Sequence, residues 1–161
     1  MEVAKPTTRP PRSAIDTISK LSLVRNEEGS EDQDTVATLK QDLAKAATAV
    51  ETLALSHRGD FKSFEEQLRD LMWALARVVI ALFLAHRHER SPAVEQLERG
   101  GRRFRPAPAQ ARNLNTLFGV VRYWRTYLRE VAKKDRHGFY PLDEELGLTG
   151  DRVSFSMLVV A

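Results

Sequence analysis

Cysteine is absent from the 161-residue chain, which excludes a disulfide framework, a thiolate metal site and a cysteine nucleophile, and fits a reducing cytosol. A long apolar run is lacking too. The nearest approach, the 15 residues from Leu71 to Ala85, is interrupted by Arg77. Crossing a bilayer takes roughly 20 residues, and a charge near the centre is costly there, so a buried helix is expected and no membrane partner. Met1 to Arg12 holds Pro6, Pro10, Pro11 and three basic residues with no apolar stretch behind them. No secretory signal is read, and a cytoplasmic location is expected. There is no phosphate-gripping glycine loop, nucleophile elbow or His-Glu metal motif. The acids are scattered over helical faces, and Glu144 and Glu145 are adjacent and point apart. The length suits one ordinary domain, or a small domain with an arm, and excludes a large multidomain enzyme.

What is present is uneven in charge. Residues 1–34 carry 5 basic and 7 acidic groups, residues 92–138 carry 11 basic and 4 acidic, and residues 139–161 hold Arg152 against Asp143, Glu144, Glu145 and Asp151. A basic zone of this kind attracts polyanions, although it also occurs as a solvated face on an ordinary domain. Residues 1–33 offer little apolar surface to offset the entropy of ordering, and a disordered arm is expected.

From Asp34 the pattern becomes helical. Val36, Leu39, Leu43, Ala46, Val50 and Leu53 alternate spacings of three and four, an a/d seam of about three heptads capped by Asp34 or Thr35. The seam suits either packing within the chain or a coiled-coil homo-oligomer through Val36, Leu39, Leu43, Val50 and Leu53. Gly59 breaks the chain before a second helix from Asp60 to about His86. Its apolar residues widen into an all-round apolar end, the mark of a core helix. His86 and His88 do not face one way on a helix, and no carboxylates join them, so a metal site is not assigned.

Gly100, Gly101, Pro106 and Pro108 mark a loop. Beyond it Arg112 to Leu128 reads as two strands around Gly119. On the second strand Val121, Tyr123, Arg125 and Tyr127 share one face, and Val120, Arg122, Trp124, Thr126 and Leu128 share the other. Arginine forks grip phosphate and aromatic rings offer stacking surface, so the composition suits nucleic acid. It suits equally a half-buried hairpin whose arginines reach water. Pro141 favours a turn, Asp143 could cap a short helix beginning at Glu144 and ended by Gly147, and Asp151 or Ser154 could cap the next.

Two stretches carry a resemblance. Thr116, Leu117, Phe118, Gly119, Val120, Val121, Arg122, Tyr123, followed by Gly138, Phe139, Tyr140, Pro141, Leu142, Asp143, Glu144, Glu145, Leu146, Gly147, Leu148, resemble the N-terminal region of bacterial insertion-sequence transposases of the ISKra type. The likeness covers about residues 60–161, and the Pro-Leu-Asp motif is its specific part. It implies structural roles for Thr116, Gly119, Tyr123, Pro141, Leu142, Asp143 and Gly147, and DNA at the element ends as partner. Relatives carry a cysteine pair between strands and motif, where this chain has Glu130 to His137, so no metal is transferred. The family's RNase H-like catalytic domain would follow the motif, whereas this sequence ends at Ala161. That domain needs metal ions held by several carboxylates, and no such set is legible here.

The resulting expectation is a mainly α, α+β fold with two long helices, a basic two-stranded hairpin and short C-terminal helices. Its divisions are an arm (1–33), a helical segment (34–99) and a basic hairpin with the Pro-Leu-Asp motif (100–161). The function expected is the DNA-binding and assembly portion of a truncated or split transposase, with no catalytic residue and no cofactor of its own. DNA contacts are assigned to Arg102, Arg103, Arg105, Arg122, Arg125, Arg129 and Trp124. The alternative is a helical oligomerising protein with no nucleic-acid role.

Overall fold

The computed structural model describes residues 35–131 and 137–148. The expected arm, and the helix expected near Asp151 or Ser154, lie outside the described residues. Helix α1 spans Val36–Ser56. Thr35 starts it, its hydroxyl accepting the Thr38 amide at 3.2 Å, and no glycine or proline interrupts it. Helix α2, Phe61–Glu89, is capped by Asp60, whose carboxylate accepts the Ser63 amide at 2.7 Å. Its last turn carries Arg87, whose charge suits the negative end of a helix dipole, between His86 and His88.

The short connection between the helices folds them back on each other. Leu39 at the start of α1 shares a buried cluster with Val78, Ala81 and Leu84 late in α2, while Ala49 and Leu53 share a second with Leu71. The α1 seam is therefore used within the chain. Its buried members are Leu39, Asp42, Ala46, Ala49 and Leu53, so the packed stripe runs through Asp42 and Ala49 where the sequence pattern pointed to Leu43 and Val50. Those two are flanking and only partly buried. Asp42 is buried despite its charge, with Lys45 at 3.5 Å. Leu39 and Leu53, expected at an oligomer seam, are covered by the chain's own α2.

The strand region is larger than the expected hairpin. Residues 100–108, read as a loop, contribute a turn and a strand. Strand β1 (Leu97–Arg99) pairs antiparallel with β2 (Arg102–Pro106) across Gly100 and Gly101, both at positive φ, the backbone of a type I′ turn. Strands β3 (Gln110–Thr116) and β4 (Gly119–Arg125) form the hairpin around the expected turn. The expected second strand does not run on to Leu128. After Arg125 the chain leaves β4, the Ala107 amide bonds the Tyr127 carbonyl at 2.8 Å, and β5 (Leu128–Glu130) joins β2 instead. Strand β6 (Gly138–Phe139) completes a four-stranded sheet of order β1-β2-β5-β6 beside the two-stranded β3-β4 sheet.

Helix α3, Pro141–Glu145, closes the fold. The resulting α+β architecture has two long helices, as expected. One buried cluster joins both helices, the hairpin and α3 through Leu39, Val78, Leu114, Val121, Tyr123 and Leu142, and Ala49, Leu53 and Leu71 form a second between the helices. The first cluster crosses the expected division at residue 99/100. No helix among the described residues is long and apolar enough to cross a membrane.

Candidate nucleic-acid interface

The inward face of the hairpin is set by strand alternation. Arg112, Leu114 and Thr116 on β3 lie opposite Tyr123, Val121 and Gly119 on β4. Leu114 and Val121 enter the apolar core, and the polar members build a clamp. Tyr123 Oη donates to Asp143 Oδ1 at 2.6 Å. Arg112 Nη1 donates to Asp143 Oδ2 at 2.8 Å and to the Leu148 carbonyl at 2.9 Å. Arg125 Nη1 pairs with the same carboxylate, and its guanidinium lies 3.5 Å from the centre of the Tyr140 ring.

Asp143 is 3% exposed, so the cluster stands largely outside solvent screening. Burial pushes the Tyr123 phenol above its ordinary value, against the pull of Arg112 and Arg125. It stays a donor. Burial also lowers Arg125 from its usual value, with Tyr123 and Tyr140 acting in the opposite direction. The chemistry is that of a fastener: one carboxylate on α3 ties down two arginines and a phenol from the hairpin.

The motif residues fall into place around this clamp. Asp143 does not cap α3; the cap is Tyr140 with no side-chain bond, Pro141 opens the first turn, and Asp143 lies inside the helix with its carboxylate turned to the hairpin. Leu142 is buried in the core, and Gly147 at φ 67° follows the helix end. At the hairpin turn Thr116 Oγ1 donates to the Gly119 carbonyl at 2.7 Å and accepts the Phe118 amide at 3.2 Å. Gly119, at φ 110°, sits under the Arg77 side chain, which donates to the Phe118 carbonyl at 2.9 Å. Gly138 leaves no space for a Cβ, which would strike the Leu128 carbonyl and the Tyr127 ring.

The seven residues expected to face DNA divide among four settings. Arg125 is in the clamp, so it leaves the expected surface: it shares the Asp143 carboxylate with Arg112 and its side chain is turned inward. Arg122 and Trp124 lie on the opposite face of β4, the guanidinium 5.8 Å from the indole centre, and both are partly buried. Arg102 is on the Phe104 side of β2, 3.9 Å from the buried Glu130.

Arg103, Arg105 and Arg129 remain, and these three come together. Cross-strand partners share a face, and Arg105 lies directly opposite Arg129. Arg103, two residues before Arg105, points the same way, opposite Glu98. All three are exposed. Like charges directly opposite each other weaken a sheet, so this arrangement costs stability that a polyanion would return.

Sequence reasoning missed Arg112, Tyr140 and Arg99. Arg112 was legible in principle, since it stands two and four residues before the inward Leu114 and Thr116. Tyr140 stacks on Arg125 and donates to Gln110 Oε1 at 2.6 Å, and Arg99 pairs with Glu144 at 2.8 Å while lying over Phe139. Neither carries a local signal. Separately, a cavity of about 680 Å³ opens between the end of α2 and α3, lined mainly by apolar groups including Leu97, Leu128, Pro141 and Leu142, with His88 at its edge. Among the described residues no group of three or more His, Asp or Glu could hold a metal ion. Comparisons of the chain with protein-family models, with curated proteins and with solved structures found no match.

Proposed function

We propose that this chain forms the DNA-binding and assembly portion of an insertion-sequence transposase, acting in the cytoplasm. The observation that carries the reading is the exposed cluster of Arg103, Arg105 and Arg129 on one face of a sheet, with two of them paired across strands. Planar guanidinium forks held on a rigid sheet can engage successive phosphates, and such contacts position DNA without reading its sequence. The resemblance to ISKra-type transposases supplies the biological setting.

A titration of the full chain against a labelled duplex at low salt tests the proposal. Replacing Arg103, Arg105 and Arg129 together by alanine should weaken binding to unrelated duplexes alike, because the lost contacts are to phosphate. Unchanged affinity in that variant would remove this face as the contact surface. Absence of any duplex binding by the parent chain would favour the alternative, a helical oligomerising protein.

A further inference from the structure

Packing against α1 and β4 leaves α2 with a second apolar stripe. Met72, Val79 and Phe83 are 45%, 48% and 49% exposed. With Ala76 they fall within about 60° of one another around the helix at 100° per residue, and the partly buried Leu68 extends the row toward the N-terminus. Apolar rows this regular on a surface mark contacts with another chain.

The ends of the row are charged, and oppositely. Glu65 closes it at the N-terminal end, while Arg87 closes it in the last turn, 5.7 Å from the centre of the Phe83 ring and paired with Glu145 at 3.2 Å. We propose that α2 pairs antiparallel with α2 of a second copy of this chain. A two-fold axis between Leu75 and Ala76 sets Met72 against Val79 and Leu68 against Phe83. It also sets Glu65 against His86, with Arg87 alongside. The small Ala76 lies at the crossing, where it lets the backbones approach. A parallel pair would instead stack Glu65 on Glu65 and Arg87 on Arg87, so charge selects the antiparallel order. The row from Leu68 to Phe83 is about 23 Å long at 1.5 Å per residue, which makes a modest interface and a dimer that forms with concentration. The pairing does not rest on the DNA-binding reading. It replaces the α1 seam, whose Leu39 and Leu53 are covered within the chain.

Sedimentation velocity of the full chain over a range of concentrations should show monomer passing to dimer. Val79→Glu and Met72→Glu, both at exposed positions, should each raise the dimer dissociation constant about a hundredfold, with the circular dichroism spectrum and unfolding midpoint kept. Because the chain contains no cysteine, single introduced thiols report orientation. Ala76→Cys should crosslink to itself, and a mixture of Glu65→Cys with His86→Cys should crosslink far faster than either alone. A monomer at every concentration would overturn the pairing; resistance of Val79→Cys to a thiol reagent in that monomer would assign the row to another segment of the same chain. A dimer in which Glu65→Cys crosslinks chiefly to itself would overturn it as well, in favour of a parallel pair.

Discussion

The helical pair and the hairpin–α3 junction are held by different chemistry. Between α1 and α2 the contact is Leu39, Ala46, Ala49 and Leu53 against Leu71, Ala74, Val78 and Ala81, nearly all aliphatic and drawn from two regular rows. At the junction a single carboxylate, Asp143, receives two guanidiniums and a phenol. Aliphatic burial is non-directional and additive by area, so each side chain contributes its share and tolerates a near-isostere. A buried ionic cluster behaves otherwise. Its parts offset one another's desolvation, and removing the shared partner strands all the rest.

That difference can be pushed until it breaks. Asp143→Ala should be the most damaging single change, costing about 3–5 kcal/mol, because the largely buried Arg112 and Arg125 lose the carboxylate they share. Urea unfolding at neutral pH measures it, and a loss below about 1 kcal/mol would show that water or another acid substitutes for the carboxylate. Leu71→Ala in the helical pair should cost about 2–4 kcal/mol by lost transfer and cavity energy. Its effect should add to that of Asp143→Ala if the two contacts are independent. Tyr123→Phe removes one hydrogen bond to a charged acceptor and leaves the two arginines in place, so about 1.5–3 kcal/mol is expected.

The smallest expected effect is of pH. His88, partly buried near the end of α2, is lowered from its ordinary value of 6.5 by burial, with Glu89 pulling the other way. Arg122 lines one cavity beside it and Glu145 the other. The folded state favours the neutral ring, so the contribution is complete above 6.5 and declines as pH falls from 6.5 toward the lower folded value. His88→Gln should flatten the unfolding midpoint across that interval. A midpoint that rises on acidification, and still does so in the variant, would assign the dependence to other groups.

Local patterns carried the helices into view and long-range pairing did not. Helix α1 is legible because apolar residues recur every three or four positions between Thr35 and Ser56, and α2 because no glycine or proline intervenes. The face that packs was misplaced by one position, since a charged Asp42 is not claimed for a core by any periodic rule. Strands β1 and β2 escaped notice because they are short, rich in arginine and offer only Leu97 and Phe104 as apolar markers. The clamp was beyond reach for another reason. Asp143 lies 31 residues from Arg112 and 20 from Tyr123, and proximity at that separation is a property of the fold. As a result, Arg125 and Arg129 look alike in sequence, yet one is held by Asp143 and the other faces solvent.

That division between arginines is tested most directly by the salt dependence of duplex binding. Log affinity against log salt should give a slope about three units shallower in the Arg103, Arg105, Arg129 triple alanine variant than in the parent, close to one unit for each phosphate contact removed. An unchanged slope in the triple variant, with its unfolding midpoint preserved, would contradict the assignment of this face to DNA.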